Sequence, residues 1–315
     1  MDVLHDGKTV PAIIQTGKTG LVFILDRRTG KPVFPVEERP VPKGDVPGEW
    51  YSPTQPFPVR PPPLTRMSIT RSELASFTPE QKTFCEAVWD ADGGAHNQGA
   101  YTPMGMKPTV IFPGDDGGWS GGTVDPRLGY FFFNTDADGI IGRMTLAAVG
   151  PGIRTSLQYD YKALEHTLGL GTSPAVYERT GVVVGKRQVY HFNNPQTGWP
   201  CVAPPWGELS AVNLNTGEIA WRIPFGRVDA LEAKGVMNTG SFNKGGSVAT
   251  AGGVLFIGAT VDKRFHAFDS KTGKLLWETM LPAVARSNPI TYLGKNGKQY
   301  VVVSSNAQLV AFVLR

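Results

Sequence analysis

The sequence predicts an all-β fold arranged as a β-propeller, on three observations. The first is a succession of short β-prone runs between Gly245 and Trp277: Val254-Leu255-Phe256-Ile257, Phe265-His266-Ala267-Phe268 and Leu275-Leu276-Trp277. Gly252-Gly253 precedes the first, and Lys271-Thr272-Gly273-Lys274 separates the last two. Short strands punctuated by Gly-bearing turns make an antiparallel meander. The second is a repeated subpattern. Ala267-Phe268-Asp269-x-x-Thr272-Gly273-x-x-x-Trp277 is matched by Ala211-Val212-Asn213-x-x-Thr216-Gly217-x-x-x-Trp221 and by Ile24-Leu25-Asp26-x-x-Thr29-Gly30-x-x-x-Phe34. In each, the acid or amide can bond turn amides, the Gly supplies positive φ and the aromatic is a large apolar anchor. Asp125-Pro126-Arg127-Leu128-Gly129 reads as a degraded fourth copy. A long, imperfect repeat made of strands implies one four-stranded blade per repeat. A β-sandwich that reuses one turn type is the competing reading. The third is composition: 38 Gly and 26 Pro in 315 residues suit a chain rich in tight turns.

Hydrophobic residues make up 41% and charged residues 18%, enough for a packed core and too apolar for disorder. Net charge is +4, without a dense Lys/Arg block, so nucleic acid is not expected as a partner. No apolar run approaches the ~18 residues that a bilayer demands. Met1 to Asp6 lacks the basic and apolar regions of a secretory signal. Cys85 and Cys201 stand in unrelated contexts, which leaves zinc unsupported. They could pair in an oxidising compartment or remain two separate buried thiols. The five histidines show no metal-ligand spacing. Gly114 to Gly122 lacks the Gly-Lys-Ser/Thr of a phosphate loop and precedes a strand.

Taken in order, Val10 to Ile14 and Gly20 to Leu25 form strands with Lys18 in the turn between them. Residues 35–108 form a long excursion. Its first half, to residue 66, is proline-dense and without periodicity; such length without regular structure points to a role. Thr78-Pro79-Glu80-Gln81 starts the one helix, with Thr as N-cap and Pro at the first position. Thr109 to Phe112 is a strand, and Tyr130-Phe131-Phe132-Phe133-Asn134 is a buried strand ending in a polar residue. Residues 136–200 are the least regular, with Gly181 to Val184 strand-like. From Trp206 the meander is clean. Its last unit shows three strands, at Pro289 to Leu293, Gln299 to Ser304 and Leu309 to Leu314. A propeller normally supplies the missing strand from the other terminus, so the ring is expected to be incomplete, with open sheet edges.

The repeated turn resembles the tryptophan-docking motif of quinoproteins, the pyrroloquinoline quinone (PQQ) dehydrogenases. Lys18-Thr19-Gly20-x-x-Phe23-x-Leu25-Asp26-Arg27-Arg28, Pro53 to Phe57, Gly253 to Ile257 and Gly297 to Val303 are similar to the membrane-bound glucose and quinate branch. The resemblance covers nearly the whole chain. It implies that residues 1–315 are the C-terminal part of an eight-bladed propeller, with the excursion over the propeller face. It also implies PQQ with Ca²⁺ or Mg²⁺, oxidation of an alcohol, sugar or polyol by hydride transfer, and electrons passed to ubiquinone. A periplasmic place follows, attached to the inner membrane through a segment absent here.

PQQ performs its own redox chemistry, while protein groups orient it and stabilise charge on its oxygen. By resemblance Lys18 is the catalytic cation at that oxygen; a solvated hairpin lysine is the alternative. Asn134 would present an amide to the quinone, or cap a strand end. Trp206 resembles the aromatic beside the cofactor, or is a core tryptophan. Trp119, in the glycine-rich stretch, is a further cofactor candidate. Trp221 and Trp277 are assigned to blade docking. The family's catalytic aspartate, metal ligands and aromatic cofactor floor would all fall before Met1. The chain alone is therefore expected to be inactive, a fragment that needs the N-terminal half of the ring. A non-catalytic propeller scaffold that binds protein partners is the second reading.

Overall fold

The computed structural model describes the backbone of residues 1–46, 49–114, 120–144, 146–147, 155–158, 174–177, 183–188 and 190–313. Four antiparallel sheets of this set follow the meander. The first joins Asp2–His5, Lys8–Thr16 and Val22–Asp26. The second joins, in spatial order, Glu218–Pro224, Gly207–Asn213, Tyr130–Asp136 and Thr123–Asp125. The third runs in sequence order through Ser247–Ala249, Val254–Ile257, Arg264–Asp269 and Leu275–Met280. The last has three strands, Ile290–Leu293, Gln299–Ser305 and Gln308–Val313. None of these sheets closes on itself. The expectation of an incomplete ring of blades holds.

The sheets stack face to face because each central strand is apolar on both sides. Phe131 and Phe133 point toward the first sheet, where they meet Val22, Ile24 and Phe34. Phe132, one residue out of phase, points toward the third sheet and joins Leu255, Ile257 and Phe268. Phe265 continues the alternation, packing with Val301 and Val303 of the last sheet. Period-two side-chain alternation converts one apolar strand into two interfaces.

The repeated turn locks neighbouring sheets. Asp269 Oδ1 accepts from the amides of Lys271 and Thr272, and Asp26 and Asn213 accept two residues on in the same way. Gly30, Gly217 and Gly273 stand at φ of 71°, 70° and 73°. The Trp221 indole lies over Gly273, so close that a Cβ there would stand 2.7 Å from the ring, and its Nε1 donates to Ser270 O over 3.1 Å. Phe34 covers Gly217 in the same way, 3.1 Å from where a Cβ would sit. Side chains larger than hydrogen would collide at these two glycines, as well as strain the backbone.

Several details differ from the sequence reading. Asp125 to Gly129 has the predicted turn, with Asp125 Oδ1 bonded to Arg127 N and Gly129 at φ 70°. It joins the outer strand Thr123–Asp125 to its neighbour Tyr130–Asp136 within the second sheet, so it is not a fourth blade. Trp277 contacts Phe312 of the last sheet edge-on at 5.2 Å but stays 41% exposed. Among the described residues no turn covers it as the 269–273 turn covers Trp221. The excursion is not wholly irregular: Val36–Pro40 pairs with Thr54–Pro58. Its helix Pro79–Asp90 begins as expected, Thr78 accepting from Gln81 N. Cys85 on that helix forms a disulfide with Cys201. The disulfide sits in a core with Val88, Trp89, Phe192 and Trp206, which ties the excursion to the second sheet.

Candidate functional site

The strand Tyr130–Asp136 and the four residues after it form the hub of the candidate site. Asn134 is not a strand end, because the strand runs two residues further. Its side chain is buried, and Nδ2 donates to Asn243 Oδ1 over 2.6 Å. Asn243 Nδ2 donates in turn to Thr135 O and Ser241 O. An amide of the second sheet and one from the segment that leads into the third thus complete one another, which burial requires.

Lys18 reaches the same hub through the backbone. Its turn is closed by Gly20 N bonding Gly17 O at 3.1 Å. Gly20 O accepts from Leu64 N, and Leu64 O accepts from the Thr135 hydroxyl beside Asn134. The Thr65 hydroxyl donates to Asp136 O. Residues 64–65 of the excursion therefore bridge the Lys18 turn to the Asn134 strand. Tyr101, also from the excursion, bonds Thr19, and burial pushes its phenol up. The Lys18 side chain itself is exposed.

Trp206 is joined from the other side. Its carbonyl accepts from Ala137 N at 2.8 Å, and Gly207 pairs with Asp136. The indole is fully buried, edge-on to Phe77, with Nε1 donating to Val202 O over 2.8 Å. One strand end thus gathers the backbones at Lys18, Asn134 and Trp206, while their side chains enter different surroundings. Trp119 lies outside the described residues.

A cavity of about 350 Å³ opens beside the amide pair, lined by Asn243, Asp136, Asp138, His191, Lys244 and Arg286 among others. A second, of about 290 Å³, is lined by Trp206, Arg227 and Asp262. The two share Gly198, Phe242 and Val261 as a common wall. Glu208, opposite Thr135 in the ladder, is pushed up by burial against the pull of Arg222 and Arg66. The larger cavity combines two cations, amides and carboxylates, a donor set suited to an anionic, oxygen-rich ligand. Asn243, Asp138 and His191 escaped the sequence reading, because nothing in their local sequence distinguishes them from ordinary loop residues. Among the described residues no cluster of three or more His, Cys, Asp or Glu is arranged to hold a metal ion.

This fold is that of a quinoprotein β-propeller. The chain belongs to the family "PQQ: Glucose/ethanol/alcohol dehydrogenase, beta-propeller domain", which matches residues 1–301. It is similar to the glycerol dehydrogenase large subunit of Gluconobacter thailandicus, 34% identical over 314 residues, covering 95% of this chain and 40% of that protein. It is also similar to a probable quinate dehydrogenase (quinone) of Xanthomonas campestris pv. juglandis, 35% identical, covering 96% of this chain and 37% of that protein. The chain therefore spans about two fifths of the length of these relatives. The solved quinohemoprotein alcohol dehydrogenase of Comamonas testosteroni shares the fold, with a TM-score of 0.51, 20% identity and coverage of 98% of this chain and 34% of that one.

Proposed function

We propose that residues 1–315 form the C-terminal part of a PQQ-dependent dehydrogenase propeller that oxidises an alcohol, sugar or polyol. Its electrons pass to ubiquinone. The observation that carries the reading is the Asn134–Asn243 pair beside a cavity lined by Lys244 and Arg286, in a chain of this family. That donor set fits PQQ, an ortho-quinone bearing carboxylates. PQQ, when bound, supplies the two-electron oxidant. Lys244 and Arg286 are suited to its carboxylates, and Asn134 and Asn243 hold the strand end that faces it. Lys18 would be the residue that supplies positive charge to the quinone oxygen, by its place in the matched motif. Trp206 supports the wall of the site from its buried position, and Trp119 belongs to the same proposal through its sequence context alone.

The base and the Ca²⁺ or Mg²⁺ ligands are assigned to the N-terminal half of the ring. Gly30 supports a missing neighbour: among the described residues nothing lies within 4 Å of where its Cβ would sit, although Phe34 and Trp221 cover its two counterparts. The Cys85–Cys201 disulfide supports an oxidising compartment such as the periplasm. Among the described residues no helix is long and apolar enough to cross a membrane. Attachment to the inner membrane would use a segment outside this chain.

The test is absorbance after adding PQQ to the purified chain, followed by dye-linked oxidation of glycerol, quinate and glucose. PQQ binding is expected without turnover, because losing general-base catalysis alone costs typically ~10²–10⁴-fold. Turnover by the 315-residue chain would overturn the assignment of base and metal to another segment. Absence of PQQ binding, even with the N-terminal half supplied, would favour a scaffold. The apolar last sheet favours that second reading, with Ile290, Leu293 and Leu309 exposed at its surface.

A further inference from the structure

A third cavity, of about 420 Å³, is built by the excursion and shares no lining residue with the two described above. Three short segments wall it, within residues 43–45, 93–98 and 103–107. Asp45 Oδ1 accepts from Met106 N over 2.6 Å, which ties the first segment to the third. The Tyr51 ring covers Gly44 so closely that a Cβ there would collide, and its phenol oxygen accepts from Val46 N at 3.2 Å. Burial, then the Glu49 carboxylate that the phenol bonds, pushes Tyr51 up to about 12, so it stays protonated and holds the loop. The second segment turns on Gly93 and Gly94, at φ of 87° and 91°. Nothing stands within 4 Å of where a Cβ would sit on either, so bare backbone faces open space there.

One short strand separates this cavity from the one given to PQQ. Thr109 pairs with Gly142 and Ile111 with Ile140, and Ile140 also stands opposite His191. The PQQ cavity has His191 beside the Ile140 end, whereas the third has Lys107 and His96 beside the Thr109 end. His96 Nδ1 lies 2.8 Å from Pro108 O. A carbonyl only accepts, so Nδ1 carries the hydrogen and the neutral ring keeps its lone pair on Nε2. Lys43 and Lys107 are exposed, and among the described residues neither has a carboxylate partner. Asp45 is the one carboxylate of the lining, with one oxygen taken by Met106 N, so the lining is net positive.

The lysines attract an anion. An anion without hydroxyls would leave Nε2 and the second Asp45 oxygen without donors, and a neutral polyol would leave the lysines without an acceptor. A molecule that carries both a carboxylate and hydroxyls satisfies both sets, and about 420 Å³ is enough for one of sugar size. We propose that this cavity is a second ligand site, distinct from the PQQ cavity, that takes a small hydroxycarboxylate. Its carboxylate meets Lys43 and Lys107, and a hydroxyl donates to His96 Nε2. No bond is made or broken there, and the proposal stands independently of the oxidation reading.

The test is ¹⁵N NMR of the 315-residue chain, titrated with gluconate, propionate, inorganic phosphate and glucose, with PQQ absorbance measured in parallel. We expect an unprotonated Nε2 at His96 that shifts with gluconate, together with saturating shifts at the Gly93 and Gly94 amides. Propionate and phosphate should bind at least about tenfold more weakly, for want of the hydroxyl bonds, and glucose should not saturate. Lys43→Ala and Lys107→Ala, both at exposed positions, should each weaken gluconate about tenfold. Gluconate should leave the absorbance of bound PQQ unchanged. Equal responses to gluconate and propionate, phosphate or glucose would overturn the proposal. So would a protonated Nε2, gluconate binding indifferent to both lysine substitutions, or displacement of PQQ by gluconate. If either variant unfolds, the wild-type titrations decide alone. A gluconate response in a chain that binds no PQQ would count against the oxidation reading and support this second site.

Discussion

Asn134 and Asn243, separated by 109 residues of chain, share a buried amide hydrogen bond of 2.6 Å between the second sheet and the segment that leads into the third. Each amide is the partner that burial demands of the other. Asn134→Ala would leave Asn243 Oδ1 without this donor, at a cost of roughly 1–3 kcal/mol. In a double-mutant cycle, Asn134→Ala and Asn243→Ala should couple by about 0.5–3 kcal/mol. Urea unfolding measures both. Strict additivity would show that the pair is incidental.

The two docking tryptophans should differ. Trp221 is covered by the 269–273 turn, so Trp221→Ala should cost roughly 3–5 kcal/mol. Trp277 is 41% exposed, beside a gap of about 580 Å³ toward the last sheet, and its loss should cost clearly less. Equal costs in denaturant unfolding would contradict this account.

The disulfide closes a sequence separation of 116 residues and anchors the excursion helix to the chain just before Trp206. Its removal, by Cys85→Ala with Cys201→Ala, should cost roughly 2–5 kcal/mol. The excursion should loosen first, with amide exchange rising in Pro79–Asp90 before it rises in Arg264–Asp269. Uniform loosening of both would place the disulfide's role elsewhere.

His266 sets a pH dependence. Burial holds its imidazole below the ordinary histidine value; Arg227 acts the same way, while Asp262 and Glu278 pull upward. The unfolded chain therefore takes up the proton first, near pH ~6.5. The stability contributed by neutral His266 is present above that pH and is lost as pH falls through it. The depressed carboxyls act in a different window. Asp26, lowered to about 2 by Arg28, loses its contribution only in strong acid. Stability should thus decline as pH falls from about 7 through the ordinary histidine value, and His266→Gln should flatten that slope. A slope unchanged by the substitution would remove His266 as its source.

The turns and the blades were legible in the sequence because their determinants are local. An acid or amide, a glycine with positive φ and an aromatic four residues on fix a turn within a few bonds, wherever the chain goes next. The unbroken apolar run Phe131, Phe132 and Phe133 likewise announced a buried strand, and the Thr78-Pro79 start announced the helix. The likeness of these stretches to quinoproteins carried the family. Local chemistry could not say which turn covers which aromatic, and so Trp221 and Trp277, identical in their motif, ended in different surroundings. Nor could it pair Cys85 with Cys201, Asn134 with Asn243 or Asp138 with His191. Those contacts depend on which strand ends the stacked sheets bring side by side. That arrangement comes from the summed burial of side chains far apart in sequence, and only the tertiary structure decides it.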